Sequence, residues 1–402
     1  MSQLFDIIVI GGGAAGMTAA IAAARHGRKT LVIEKSEKAG RKILASGNGR
    51  CNMLNSLAPR YFGDPVFAKK VLEQCGTRKI IVFFRELGLP VAEDNDGRIY
   101  PVTFQSSSVL TIMNYAMQTS GTAIMKSTAA AEARKTNDGF EVITDQGTNY
   151  HSRKIVIACG GEAQPRLGGT KDGYRLLKTF GHRIIPTRAA LVPLATDRTS
   201  ISGLSGIRVK CRVTLRREGK TVHEEKGEVL FTDYGVSGIC VMQCARFASG
   251  GSELVLDLMS GLYRERMDAV REIKRRQIIF ADLPPASLLE GILPGKLSYA
   301  VMKQAGIPLK GEKAGNLDEK DLDRIAAAAY EYRITVLGNR GMDYAQVTAG
   351  GADCREFNPA TMESRIVPGL FAAGEVLNVD GDCGGFNLMF AFASGIIAGQ
   401  SV

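Results

Sequence analysis

The two ends of this chain read as halves of one nucleotide site. Residues 6–10 (DIIVI) are a short, β-branched apolar run, and Gly11, Gly13 and Gly16 follow it at the spacing GxGxxG. A small-residue stretch then runs to His26, and residues 29–33 lead into Glu34. About 330 positions later the chain reads PGLFAAGE, a polar loop, then GGFNLMFAFASG. A strand–turn–helix–strand–acid unit at one end, and a strand ending in glycine and an acid at the other, imply one α/β domain interrupted by an insertion.

Each glycine of the first unit has a physical role. Gly11 permits a tight turn out of the strand, Gly13 removes a side chain where a pyrophosphate must approach the backbone, and Gly16 lets the helix lie close to the strand. The helix expected from Ala14 to His26, with Ala15 in its first turn, points free N–H groups and its positive dipole end at the phosphates, and Gly27 ends it. Glu34 stands 23 positions after Gly11, where a carboxylate accepts hydrogen bonds from a ribose diol and repels a 2′-phosphate; Lys35 follows it. The site therefore suits FAD or NAD better than NADP. Residues 7–24 are long enough to suggest a membrane span or a signal peptide, but four glycines interrupt them and no basic segment precedes them, so no membrane span is expected.

FAD is favoured by what comes next. Residues 40–52 (GRKILASGNGRCN) form a polar, glycine-rich stretch read as a loop carrying Arg41, Lys42 and Arg50, able to run beside a pyrophosphate and bring backbone amides toward a flavin. Residues 122–133 and 140–144 read as strands of a small layer, with Ala130 a backbone contact for adenine, and the strand after them ends at Gly160. At the far end Gly374 closes an apolar strand and Glu375 is an acid for the ribityl chain, a role that Asp380 or Asp382 can share. The helix after Gly384 carries Asn387 and Leu388, and its N-terminus suits the N1 and C2=O edge of an isoalloxazine ring, where reduction puts negative charge.

The runs GRKILASGNGRCN, GEVLFTDYGVSG and AQVTAGGADCREFNPATMESRIVPGLFAAGEVLNVDGDCGGFNLMFAFASG resemble the bacterial three-domain flavoproteins typified by aminoacetone oxidase and the BaiN-type bile-acid oxidoreductases. The resemblance spans essentially the whole chain. It implies an α/β fold with a discontinuous Rossmann-type FAD-binding domain, an inserted antiparallel β domain and an inserted small helical domain. It also implies FAD contacts at Ala15, Glu34, Arg41, Lys42, Gly47, Asn52, Ala130, Asp380, Asn387 and Leu388. The sequence departs from the family pattern at Gln105, Asp233, Ala352 and Asn378, all on the expected substrate side, so the resemblance carries no substrate over.

Composition agrees with that layout: 402 residues are long for one domain, and 45% hydrophobic content supports a sizeable core. The expected division is an FAD-binding domain over 1–190, a β domain over 191–263, a helical domain over 264–330, a return strand over 331–341 and the rest of the FAD domain over 342–402. Turn signals at REGK and DYG mark the β domain, and Asp318 is the expected N-cap of a helix with an acidic first turn. The net charge of +10 is concentrated modestly in the insert, where residues 198–340 hold 23 Lys plus Arg against 18 Asp plus Glu. Arg271, Lys274, Arg275 and Arg276 cluster on one helix, but no interleaved aromatics accompany them, and a solvated helix face is expected rather than a nucleic-acid interface. Eight cysteines without a secretory signal point to the cytoplasm, and no Cys/His set suggests a metal site. Cys51 and Cys383 fall in loops expected near the flavin and are read as small residues in tight turns.

These features predict an FAD-dependent oxidoreductase acting on a small molecule. No second GxGxxG follows a strand, so NAD(P)H is expected as a transient electron donor without a domain of its own, reducing the flavin ahead of a conjugated or keto substrate. An amine oxidase passing electrons to dioxygen and an RNA-linked flavoprotein are the alternatives. No acid or base is assigned; Tyr100, Asp233, Tyr234 and Tyr344 are read as structural hydrogen bonders.

Overall fold

The computed structural model describes residues 4–58, 60–263 and 265–402; Arg264, where the helical stretch is expected to begin, lies outside them. The chain divides into two compact units, Met1–Ala189 with Gln346–Val402, and Ala190–Ala345.

The first unit is built on a sheet that has seven strands among the described residues. Leu4–Ile10 lies at its centre, parallel to Thr30–Ile33 on one side and to Asn149–Ile157 on the other, and Thr30–Ile33 is flanked by Ala123–Met125. The near-continuous apolar sequence of the central strand follows from burial on both faces, with Ile7, Ile8 and Val9 inaccessible. The long strand Asn149–Ile157 is shared. Its first half pairs antiparallel with Gly139–Thr144, itself paired with Ala130–Thr136, while its last three residues pair parallel with Leu370–Ala372. The C-terminal segment thus completes the sheet that the N-terminal segment begins.

Two helices tie the termini together. Ala14–Arg25 is made almost wholly of small residues and is buried from Ala15 to Ala23. The C-terminal helix Phe386–Ser401 crosses it in close contact, because a Cβ on Gly395 would overlap the carbonyl oxygen of Ala15 and one on Gly399 the carbonyl oxygen of Ala19. A glycine pair four residues apart therefore sets this approach, a feature that the sequence reading did not use.

The second unit is a closed antiparallel barrel, which among the described residues runs Leu194–Thr196, Gly235–Ser237, Lys220–Phe231, Arg208–Arg217, Glu253–Asp257 and Tyr332–Asn339 before closing on Leu194–Thr196. Closure leaves no free edge. The long hairpin turns at Glu218 and Gly219, both at positive φ (51° and 75°), as a two-residue turn matching strand twist requires. Between Glu253–Asp257 and Tyr332–Asn339 the chain forms the helices Arg266–Ile279, Gly295–Gln304 and Glu319–Tyr330, the last capped by Asp318, whose side chain accepts from Asp321 N.

Two local expectations are corrected. Residues 122–133 are not one strand of a small layer: Ala123–Met125 extends the parallel part of the sheet beside Thr30–Ile33, and only Ala130–Thr136 pairs with Gly139–Thr144. Residues 40–52 do not form a plain loop: Arg41–Ala45 is a short helix entered through Gly40 at φ 73°, followed by a tight turn over Ser46–Gly49. The cause is Ile43, 1% exposed, whose burial fixes a segment that its polar composition leaves unassigned.

Candidate functional site

The glycine turn of the first unit separates structural glycines from a glycine with empty space in front of it. Gly11 sits at φ 106° and a Cβ there would overlap the Ala158 carbonyl; a Cβ on Gly16 would overlap the Gly11 carbonyl. Gly13 is different. Its φ of −83° is open to any residue, and a Cβ there would meet nothing within 4 Å. No packing within the chain explains this glycine. It is also the N-cap of Ala14–Arg25 and supplies no side-chain cap, so the first N–H groups of that helix face the same open space.

Glu34 closes the turn from below. One carboxylate oxygen accepts Gly12 N at 2.7 Å and the other accepts Ser36 N at 2.7 Å, which leaves further lone pairs on the same carboxylate. Glu34 lines a cleft with Ile10, Gly11, Lys35, Thr128, Ala129, Ala130, Cys159, Thr170 and Asp172. Gly11, Glu34, Lys35 and Ala130, singled out separately in the sequence, thus share one concavity. Lys35 lies 3.5 Å from Asp172 there, and Arg175 donates to the Ala130 carbonyl at 3.3 Å. Gly160, at φ 71°, is open in the same way as Gly13, since a Cβ on it would meet no atom within 4 Å.

A second group gathers where the two terminal segments meet. Gly374, at φ 76°, donates its N–H to Ser394 Oγ at 2.9 Å, and a Cβ on it would stand 2.7 Å from that of Ala15. Glu375 accepts Thr348 N at 2.8 Å through one oxygen and lies 3.6 Å from Lys42 Nζ through the other. Lys42 Nζ is buried without a hydrogen-bond acceptor among the described residues, as Asn52 Oδ1 is without a donor. Lys42 therefore has only its ion pair with Glu375 and Asn52 Oδ1 has no donor, so the unit keeps a buried donor and a buried acceptor with bonding capacity to spare. Gly47 packs on Asn52, and Gly385, the N-cap of the C-terminal helix at φ 101°, lies where a Cβ would stand 2.7 Å from Asn52 Oδ1. Leu388 is partly buried against the core, and Asp380 is buried on Val379–Gly381.

Other side chains point to local duties. Asn387 accepts Gly381 N at 2.8 Å and donates to Gly381 O at 2.9 Å, so its amide is spent on the 381–382 loop. Arg41 donates to the Arg166 carbonyl at 2.7 Å, and Asp382 pairs with Arg60 at 2.6 Å. Cys51 is fully buried and burial pushes its thiol up to about 11, which keeps it neutral near pH 7. Burial pushes the Cys383 thiol up as well.

The helix-borne basic cluster of the second unit is internally neutralised. Arg271 pairs with Asp268 at 3.2 Å, Lys274 with Glu319 at 2.8 Å and Arg275 with Glu272 at 2.7 Å, while Arg276 donates to the carbonyls of Ser287, Leu288 and Glu290. Among the described residues no helix is long and apolar enough to cross a membrane.

Comparison with known proteins agrees with this architecture. The chain is 34% identical over 412 residues to the 3-dehydro-bile acid delta(4,6)-reductase of Clostridium scindens, covering 98% of each chain. It is 31% identical over 407 residues to the ribosomal RNA dihydrouridine synthase of Escherichia coli, covering 100% of this chain and 98% of that one. The solved 3-ketosteroid delta1-dehydrogenase of Sterolibacterium denitrificans shares the fold with a TM-score of 0.52 at 14% identity, over 99% of both chains. The HI0933-like protein Rossmann domain matches residues 5–401, and the chain belongs to the HI0933-like family.

Proposed function

We propose that this chain binds FAD in its first unit and reduces a carbon–carbon double bond conjugated to a carbonyl, with NAD(P)H as electron donor. The observation that carries the reading is the open space before Gly13 and the uncapped helix N-terminus behind it, with Glu34 held below by two backbone N–H groups. Those features fit a dinucleotide: the turn receives the pyrophosphate, Glu34 receives the ribose hydroxyls and Ala130 borders the adenine. Lys42 Nζ and Asn52 Oδ1 are the buried donor and acceptor offered to the ring end. Glu375 offers a carboxylate to the ribityl chain. The N-terminus of Phe386–Ser401 favours negative charge at the ring by roughly 0.5 to 2 kcal/mol. When bound, FAD supplies two-electron hydride chemistry that no side chain here can provide.

The reaction class is supported by what the two full-length relatives are named for. A delta(4,6)-reductase acts on unsaturation conjugated to a 3-oxo group, and making dihydrouridine saturates the C5=C6 bond conjugated to the C4 carbonyl of uracil. Both add two hydrogens to an enone-like system. A steroid-like small molecule is the first reading of the substrate, since the bile-acid enzyme is the more similar of these two. Uridine in ribosomal RNA is the second, favoured by the Escherichia coli relative and weighed against by the pairing of the basic helix cluster.

Anaerobic mixing of the yellow holoprotein with NADH and NADPH tests the proposal. Loss of the flavin band near ~450 nm, then its return on adding a 3-oxo-4-ene steroid, is the expected result. Return with a uridine-containing ribosomal RNA fragment instead selects the second reading. Bleaching by a small amine, with peroxide formed in air and no response to either nicotinamide, refutes the reductase.

A further inference from the structure

One end of the barrel carries an arginine set between two tyrosine rings. Arg340 follows the barrel strand Tyr332–Asn339, and its guanidinium carbon lies 4.5 Å from the ring centroid of Tyr234 and 4.4 Å from that of Tyr344. The two rings are 6.3 Å apart and tilted by 52°, so the guanidinium sits in the corner between their faces. Each wall is fixed by backbone. Tyr234 occupies the turn closed by Thr232 N donating to Gly235 O at 2.9 Å, and its own carbonyl accepts Thr196 N at 3.2 Å; Tyr344 N donates to Gly341 O at 3.2 Å. Arg340 N donates to the Pro193 carbonyl at 3.1 Å, which anchors the arginine from a third segment of the same unit.

This guanidinium has no counter-ion among the described residues. Among the described residues the Arg340 side chain enters no hydrogen bond or ion pair, and its Nε is buried without an acceptor. Several barrel arginines do have carboxylates, Arg208 with Glu228 at 2.5 Å, Arg216 with Glu331 at 3.0 Å and Arg333 with Glu331 at 2.6 Å, while Arg217 donates to the Phe247 carbonyl at 2.5 Å. Two aromatic faces hold the charge in place and shed part of its hydration, while the planar N–H fork stays unspent. Tyr344 is 48% exposed, so the corner is open to solvent. A fork of this kind matches the two oxygens of a carboxylate or a phosphodiester.

We propose that Tyr234, Arg340 and Tyr344 form a binding site for an oxyanion, carried by a small carboxylate ligand or by an RNA backbone. The site rests on the substrate classes of the proposed function but not on its redox step, because it is read by binding with no electron donor present.

The experiment is equilibrium binding to the holoprotein in two arms. In one, a C24 3-oxo steroid carboxylate is compared with its methyl ester; in the other, a short oligouridylate is compared with uridine. The wild-type protein is expected to prefer the anionic probe in one arm, and Arg340→Gln to weaken that probe by about tenfold or more while leaving the neutral one unchanged. Arg271→Gln removes the same charge from a position already paired with Asp268 and should leave the preference intact. A preference in the steroid arm assigns a carboxylate; one in the RNA arm, with a salt slope reduced by about one in Arg340→Gln, assigns a phosphodiester. If Arg340→Gln does not fold, Arg340→Lys keeps the charge and the stem but loses the fork, and a several-fold loss is expected from it. The proposal is overturned if the wild type prefers neither anionic probe, or if the Arg340 variants keep a preference that the wild type shows.

Discussion

Replacing Gly13 by Ala separates what the glycine turn does for the fold from what it does for a ligand. The added methyl would meet no atom of the chain within 4 Å, and φ of −83° is ordinary for alanine. Removing glycine stiffens the unfolded chain and stabilises by about 0.4 to 1 kcal/mol, while alanine is the poorer N-cap by a comparable amount, so the two effects nearly cancel. The apoprotein should therefore unfold at the same urea concentration as the wild type. The ligand fares differently. The methyl occupies the space that a pyrophosphate needs, which costs the helix-terminus attraction of roughly 0.5 to 2 kcal/mol and one charge-assisted hydrogen bond of about 1.5 to 3 kcal/mol. The sum, about 2 to 5 kcal/mol, is a loss of FAD affinity of roughly 30- to 4,000-fold. Titrating FAD into apoprotein by flavin fluorescence measures this directly, with urea unfolding of the same samples beside it. Unchanged FAD affinity in a folded Gly13→Ala protein would refute a pyrophosphate at this turn, and a large drop in apoprotein stability would refute the reading of the space as empty.

Gly395→Val should act in the opposite sense. Its Cβ overlaps the Ala15 carbonyl and crowds Thr18, so the two terminal helices must separate; overpacking against backbone is expected to cost about 3 kcal/mol, the upper end of the usual range, seen as a lower urea midpoint in apoprotein before any ligand is added. Alkaline pH should loosen the first unit through Cys51. Burial raises its thiol from 9.0 to about 11, so the unfolded chain loses the proton first as pH climbs. The associated stability is complete below pH ~9 and is lost as pH rises through about 11, to a limit of roughly 3 kcal/mol. Cys51→Ala should flatten that decline in an unfolding series from pH 8 to 11, and an undiminished slope would show that Cys51 is not its source.

The parts of this fold that were legible in the sequence are those where one residue type answers one backbone need. Gly11 has to be glycine because its φ is 106° and Ala158 lies against it, and Glu34 has to be an acid to accept two N–H groups at once. Such positions announce themselves in any single chain. The interruption of the first unit is visible where the Rossmann pattern stops and resumes, and hairpin chemistry such as Glu218–Gly219 lies in the stretch between. Packing between distant segments was not legible. Gly395 and Gly399 look like ordinary small residues of an apolar helix until Ala15 and Ala19 are brought against them, and Ile43 turns a polar glycine-rich stretch into a helix only because a core exists to receive it.

Charge shows the same limit more sharply. Four basic residues on one helix are the most visible electrostatic signal of the insert, yet all four face carboxylates and Arg276 is also spent on backbone carbonyls. Their formal charges contribute to the net +10 but leave little field concentrated on that face. Arg340 gives no such signal, standing alone between Asn339 and Gly341. What distinguishes it is the absence of a counter-ion among the described residues, together with Tyr234, brought against it from another part of the unit beside the nearby Tyr344. The capacity of a cation to bind a ligand depends on the bonds it has not already made. A count of Lys and Arg therefore overstates the helix and overlooks the barrel rim, and the pairing of each cation has to be known before net charge can be read as a binding surface.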